Sequence, residues 1–476
     1  MSTRRAEIKA AFQHAWNGYS QQCFGHDAIH PVSNTCEDDF GGWGATALDA
    51  LSTAMILGER DIVLQILRHI ARLDFSIVQG GSKIQVFEVT IRHLGGMISG
   101  WDLLNGPYRS LAVDLDLRLA LYDKMVELGG ILSCAFSTPS GIPRDWLDPA
   151  TCQTDSGTMN TVAGAGTMIL EFSRLSDITG SRTYALLAQK AEDYLLNPIG
   201  GQPFPGLLGS HVSVEDGRVI DENGSWGAFS DSFYEYLLKA YIYNSKNNQR
   251  YLERWLLAAD STIRYIASHP YGQSKLTLLP SWSGNTTDNR METLSWFAGG
   301  NLILGGMITN NQTLIDFGTS IADTAAAVYN MTRTGLGPEF VTWNTDCPDG
   351  DCKPIQISDG RYRMRPEVFE TWYYAYRATR DPKYIEWSWM AFEAIDKTCR
   401  TQYGFSAINN VDEAGGGAKL DKQESFLFAE VFKYLYLIHA EDDTVPMHVQ
   451  DSRTGKKNLW VLNTEAHPIL VAGPPV

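Results

Sequence analysis

Residues 230–235 read Ser230-Asp231-Ser232-Phe233-Tyr234-Glu235. Residues four apart on a helix share a face, so Asp231 and Glu235 project to one side. Their neighbours Phe233, Leu237 and Leu238 are apolar. An acid in such company is costly to bury unless it is paired, hydrogen-bonded or next to a metal. One stretch of this kind means little, but it recurs. Phe87-Glu88-Val89-Thr90-Ile91-Arg92, Arg365-Pro366-Glu367-Val368-Phe369-Glu370 and Gln423-Glu424-Ser425-Phe426 repeat the theme, and Asp49 lies inside the apolar run 43–51. A threonine stretch, Asn463-Thr464-Glu465-Ala466-His467-Pro468, follows them all. Six stretches in comparable settings predict one shared polar pocket, and a shared pocket of acids points to catalysis.

Apolar residues recur at helical spacing almost throughout, as in Ile62, Val63, Ile66, Leu67, Ile70 and Leu73. The spacing predicts fourteen helices, at 4–19, 43–57, 61–73, 87–104, 110–128, 162–179, 183–196, 226–246, 250–268, 291–306, 311–329, 365–379, 381–400 and 422–439. Asp49, Glu88, Asp231, Glu367 and Glu424 all fall on even-numbered members. Antiparallel hairpins put every second amino terminus on the same side, so five acids from alternate helices converge at one end of a ring. The expected fold is all-α: seven helical hairpins closed into an αα barrel, with motif-bearing helices inside and amphipathic ones outside. Residues 459–462 and 469–471 read as a β-hairpin whose turn carries Thr464 and Glu465 into the barrel. Loops 136–160 and 344–363, rich in turn residues, are expected at the mouth. No low-complexity linker divides the chain, so residues 1–476 read as a single catalytic domain.

Composition narrows the function. The 476 residues are 44% hydrophobic and 20% charged, with 13 Trp and 21 Tyr, which suits a large core. A net charge of −16 argues against nucleic acid or an anionic membrane as partner. No apolar run is long enough to be a transmembrane segment. Met1-Ser2-Thr3-Arg4-Arg5 has no apolar stretch behind it, so no signal peptide is visible. The seven cysteines lack metal-finger spacing, while Cys347 and Cys352 bracket a turn that a disulfide could close. Asn-x-Ser/Thr sequons begin at Asn223, Asn285, Asn311 and Asn330, about the number that chance supplies.

Two carboxyl groups with room for a water between them are the apparatus of an inverting glycosidase. Pro366 suits a first helical turn, and Glu367 just after it would feel the helix dipole, which lowers a carboxylate pKa and suits a base. Glu88 and Arg92, four apart, can pair. Phe233, Tyr234, Trp372 and Tyr373 are candidates for either a sugar platform or core packing. Thr464 offers hard oxygen donors that suit calcium, although no EF-hand loop is present and an ion here would need several waters held by acids.

Together these motifs resemble the class I α-1,2-mannosidases, glycoside hydrolase family 47, and most closely its fungal branch. The resemblance runs from His30-Pro31-Val32-Ser33 to Asn463-Thr464-Glu465-Ala466-His467-Pro468, with 232–239 and Arg365-Pro366-Glu367 its most specific parts. It implies an (αα)7 barrel plugged by a carboxy-terminal β-hairpin. It implies calcium-dependent, inverting removal of terminal α-1,2-linked mannose from high-mannose N-glycans or glycoproteins. Matched motif by motif, Glu88 is the implied general acid, Glu367 the general base and Asp231 a third essential carboxylate. Thr464 is the implied calcium ligand; Asp49, Glu235, Glu370, Glu424 and Glu465 would orient the ion's waters or the sugar. Arg92 and Arg365 would shape the pocket. The family also implies a monomer working in the secretory pathway (ER or Golgi) or outside the cell.

Several positions depart from the pattern. Thr293 stands where many relatives carry an active-site histidine, and Phe229 where branch-specific relatives carry arginine, so both bear on substrate binding. Trp296 replaces a cysteine of the family disulfide, which is therefore absent. Three readings stay open: an active α-1,2-mannosidase, a mannose-glycan-binding quality-control protein with little turnover, and a glycosidase with shifted mannose-linkage preference.

Overall fold

The computed structural model describes residues 2–111, 113–348, 350–449 and 455–476. Ala112, inside the helix expected over 110–128, Asp349, inside the 344–363 loop, and Met1 lie outside them.

Among the described residues, fourteen main helices follow one another as seven antiparallel hairpins. The outer ones are α1 (Ser2–Gln22), α3 (Arg60–Ile70), α5 (Leu115–Ser133), α7 (Thr183–Leu196), α9 (Gln249–Ser261), α11 (Gln312–Asn330) and α13 (Lys383–Cys399). The inner ones are α2 (Ala45–Ile56), α4 (86–105), α6 (Ile169–Thr179, preceded by the short helix Val162–Gly166), α8 (Asp231–Tyr243), α10 (Phe297–Thr309), α12 (Glu367–Thr379) and α14 (427–438). Each inner helix packs on the next, and α14 returns to α2, so the ring closes. The all-α seven-hairpin barrel expected from the spacing is the fold observed.

Sequence explains the two layers. In α3, Ile62, Val63, Ile66, Leu67 and Ile70 are buried while Arg60 and Asp61 face water, an amphipathic outer helix. In α10 every residue from Phe297 to Met307 is buried, and a helix apolar all round must lie inside. Gly95 and Gly96 allow close approach on α4. A Cβ at Gly96 would lie 2.8 Å from the Leu48 carbonyl oxygen of α2, and one at Gly95 would lie 2.6 Å from Asn463 Nδ2.

The carboxy-terminal hairpin plugs the ring. Strand Trp460–Leu462 pairs with Pro468–Leu470, in the register Trp460↔Leu470, Val461↔Ile469 and Leu462↔Pro468. Asn463 fastens the turn between them. Its Oδ1 accepts the Glu465 and His467 N–H groups at 2.9 and 2.8 Å, and its Nδ2 donates to the Ile91 carbonyl at 3.0 Å and to Glu171 at 2.8 Å.

Some boundaries differ from expectation, each for a local reason. The helix expected from 226 begins at Asp231, because residues 227–230 buckle, with Phe229 at φ 78°. The helix expected from 291 is preceded by strand Arg290–Glu292, which pairs with Phe340–Trp343. The last helix begins at Leu427 rather than 422, leaving Glu424 ahead of it. Loop 344–363 supplies strand Ile355–Asp359, paired to Phe340–Trp343, and none of its described residues lines the cavity at the acid-bearing end of the ring; loop 136–160 lines it through Asp145. Disulfides join Cys23 to Cys36, Cys134 to Cys152 and Cys347 to Cys352, while Cys399 is a buried thiol. Among the described residues no helix is long and apolar enough to cross a membrane.

Candidate active site

The site is organised around Arg92, on a π-turn (Thr90–Leu94) within α4. Such turns re-aim side chains and occur frequently at functional sites. Arg92 Nε donates to Glu88 Oε2 at 2.8 Å, and Nη2 lies 2.7 Å from the same oxygen. Its Nη1 bonds Glu465, donates to Ser425 Oγ at 3.2 Å and lies 3.5 Å from Asp49 Oδ2. One guanidinium thus ties α2, α4, the entry to α14 and the hairpin turn together. Burial pushes the Asp49 carboxyl up, but the His467 hydrogen bond and Arg92 prevail and hold it below its ordinary value.

A cavity of about 370 Å³ opens at this end of the ring, lined by Glu88, Asp231, Arg365, Glu367, Thr464 and Glu465 among others. An adjoining space of about 60 Å³ shares Asp231, Glu367, Glu430 and Thr464 with it and is further walled by Glu235 and Glu370. The side chains from α8, α12, α14 and the plug therefore converge as the alternate-helix pattern requires.

These acids are strongly perturbed. Burial pushes the Asp231 carboxyl up to about 7, against the Ser232 N–H that bonds it at 2.8 Å. Burial pushes Glu370 up to about 8 although Lys239, 3.8 Å away, opposes it. Glu367 is driven well above the carboxylate range by burial, which overrides Arg365, and its Oε2 is buried without a hydrogen-bond partner. This reverses the expectation that the helix dipole lowers Glu367, because desolvation is the larger effect. Glu430 rises first through burial, then through Glu465, Glu367, Glu370 and Glu235. Several raised carboxylates crowd this small space, where Lys239 is shared between Glu235 and Glu370.

The donor set fits a hard cation. All the groups are oxygens, and Thr464 lines both compartments, its N–H donating to Tyr236 Oη at 3.2 Å while Tyr236 donates to Glu171 at 2.7 Å. Among the described residues no three His, Cys, Asp or Glu side chains gather at direct-ligand geometry, and waters would have to complete the shell of an ion held here.

Other expected residues are placed differently. Asp49 and Glu424 line neither compartment; Asp49 is buried behind Arg92, and Glu424, half-buried, lies in the field of Arg365 and Lys422. Thr293 is turned away: its hydroxyl donates to the Pro338 carbonyl at 2.6 Å, and Leu294 lines the cavity instead. Phe233, Tyr234, Trp372 and Tyr373 are all core residues, at most 1% exposed, and the cavity's aromatic rings are Phe87, Phe229 and Phe426. Arg365 Nε donates to Glu339 Oε1 at 2.8 Å. Glu430, Glu171, Glu339 and the buried Lys239 and Lys433 escaped the sequence reading. Glu430 had a visible signal, a lone acid in the apolar run Leu427-Phe428-Ala429-Glu430-Val431-Phe432.

A closed ring of helical hairpins, plugged at one end and lined by converging carboxylates, has the paired acids that hydrolysis of a glycosidic bond requires. The glycosyl hydrolase family 47 model matches residues 11–471. The chain is 47% identical to the mannosyl-oligosaccharide alpha-1,2-mannosidase of Penicillium citrinum, covering 98% of this chain and 91% of that one. It is 45% identical to mannosyl-oligosaccharide alpha-1,2-mannosidase 1B of Aspergillus oryzae, covering 99% and 92%. The solved alpha-1,2-mannosidase from Trichoderma reesei superposes with a TM-score of 0.95 at 42% identity, covering 99% of both chains. A D-mannose isomerase at 13% identity and a TM-score of 0.54, covering 91% of this chain and 97% of that one, shares the fold alone. This chain belongs to glycosyl hydrolase family 47.

Proposed function

We infer that this chain is an exo-acting α-1,2-mannosidase that trims terminal mannose from high-mannose N-glycans with inversion. The observation that carries the reading is the convergence of Glu88, Asp231, Glu367 and Thr464 on one cavity. Glu88 donates the proton to the departing glycosidic oxygen. Asp231, held at about 7, is suited to share that proton near neutrality. Glu367 takes a proton from the attacking water, and the free, buried Oε2 is the atom available for it. Arg365 and Arg92 hold the pocket's shape; Glu235, Glu370, Glu430 and Glu465 would orient sugar hydroxyls and the waters of a calcium ion held by Thr464. When bound, calcium supplies the positive charge that lets the surrounding carboxylates ionise and orders the mannose hydroxyls.

The closed ring and its plug support a single catalytic domain over 1–476, for which the family resemblance implies a monomer. Three disulfides support an oxidising compartment, the secretory pathway or the cell exterior. The test is mannose release from a high-mannose N-glycan with calcium, after chelation, and after calcium is restored. Release that stops and returns supports the reading; release unaffected by chelation removes the ion from it. No release, with glycan binding intact, replaces the enzyme by a binding protein.

A further inference from the structure

Two buried lysines take no part in the chemistry above, and both reach the plug. Lys239 of α8 and Lys433 of α14 are at most 1% exposed. Lys433 Nζ donates to the Ala466 carbonyl at 2.6 Å, and Lys239 Nζ donates to the Asn463 carbonyl at 3.3 Å. Those two carbonyls bracket Thr464 and Glu465 in the turn of the hairpin. An ammonium this deep is costly unless its charge is compensated. Lys239 bonds Glu235 directly and lies 3.8 Å from Glu370. Lys433 makes no direct ion pair among the described residues, and Glu430, Asp49 and Glu465 favour its charge only through space. Packing alone would be served as well by an apolar side chain, without that cost.

The turn bends at Ala466, whose φ of 54° is unfavourable for a residue with a Cβ. The Ala466 N–H donates to the Asn463 carbonyl at 3.0 Å, so both lysines bond the peptide groups that close the bend. The strands and the Asn463 side chain shape the hairpin; the lysines set its depth in the bore. Each lysine shares a helix with an acid of the small compartment. Lys239 is four residues after Glu235, and Lys433 is three after Glu430. The spacing from Thr464 to each acid is thereby set through about one turn of helix. Among the described residues only the Thr464 N–H is engaged, donated to Tyr236 Oη at 3.2 Å, and its two oxygens are uncommitted.

We propose that Lys239 and Lys433 are positioning residues, which clamp the plug turn at the depth where Thr464 can bind a cation among Glu235, Glu370 and Glu430. The proposal rests on the calcium reading for the identity of the ion. Neither lysine lines either compartment, so both act through the Asn463 and Ala466 carbonyls. Such a site tolerates displacement of only about 0.5 Å.

The test compares chelator-stripped wild type with Lys433→Met, Lys239→Met and Lys433→Gln. Calorimetric titration reads calcium affinity, and hydrogen exchange of segment 460–470 reads the turn without the ion. Each Met variant is expected to bind calcium about ten-fold more weakly and to exchange the turn amides faster. Lys433→Gln has the same charge as the Met variant but keeps an N–H donor, so its loss is expected to be smaller, about three-fold. Removing a positive charge beside the site would by itself tighten calcium, so the expected weakening has the opposite sign and reports lost position. Unchanged or tighter binding in both Met variants overturns the clamp, even where their melting temperatures fall. If Lys433→Met does not fold, wild-type affinity in both Lys239→Met and Lys433→Gln overturns it. If wild type binds no calcium, the calcium reading fails separately. Exchange then decides, and wild-type protection of the turn in the Met variants overturns the clamp.

Discussion

His467 Nε2 lies 3.2 Å from Asp49 Oδ1, and both side chains are fully buried. The contact joins the plug to the first inner helix across 418 residues of sequence. The other ring nitrogen is 3.2 Å from Ser52 Oγ, so the imidazole is held at both ends. Replacing His467 by Ala removes one of Asp49's partners, leaving Arg92 and Ser425, and takes a fully buried side chain out of the plug. The expected loss is about 1–3 kcal/mol of stability, with a fall in kcat from misplacement of the turn. Thermal melts and steady-state rates check this; unchanged values in both would show that the plug is held by its strands alone.

Glu367→Gln keeps the shape of the side chain but cannot accept the water proton. Turnover is expected to fall by about 10²–10⁴-fold while glycan affinity changes little. The affinity arm matters, because a fall in both would mean that Glu367 organises the pocket rather than acting as the base. Near-normal turnover would assign the base elsewhere.

The acid cluster is expected to make stability depend on pH and on calcium together. Asp231 and Glu370 rise from ordinary values of 3.8 and 4.5 to about 7 and about 8, chiefly by burial. A raised acid contributes stability that is present below its unfolded value and lost as pH climbs through the folded one. His467, pushed down from 6.5 to about 4 by burial, contributes the reverse: stability present above 6.5 and lost as pH falls toward about 4. The raised acids outnumber it, so the chelated protein is expected to melt lower at about pH 7.5 than at about pH 5.5. A cation favours ionised carboxylates, so the rise in Tm on adding calcium should grow with pH. An equal calcium effect at both values would separate the ion from these acids.

Glu430 lines both compartments yet lies outside the motifs that first drew attention. Glu430→Gln is expected to weaken calcium binding by about 10–100-fold, as loss of an outer-shell partner does. A chelator titration followed by the melting temperature reads this without depending on turnover. An unshifted midpoint would place Glu430 in sugar binding alone.

The architecture was legible because it is periodic. Fourteen stripes and five acids on alternate helices suffice to predict a ring with its chemistry at one end, and the Asn463–Pro468 stretch marks the plug. Local departures from periodicity were not legible. The π-turn at Leu427–Val431 aims Glu430 inward while Glu424 stays on the approach to the helix, the opposite of what uniform α-helical spacing suggests. Thr293 follows a strand that edge-pairing creates, so its hydroxyl is committed to Pro338 and not to the cavity. The direction of Glu367's pKa depends on how much protein surrounds it, and helix position alone carries no such information.

The plug also has a consequence in time. Thr464 and Glu465 follow all fourteen helices in the chain, and Arg92, made nearly four hundred residues earlier, has Glu465 as a partner. Until they are made, the bore has no plug and Arg92 lacks one of its carboxylate partners. The polar pocket is therefore completed last, since its Thr464 and Glu465 walls come from the final hairpin, and a chain ending before residue 464 lacks both.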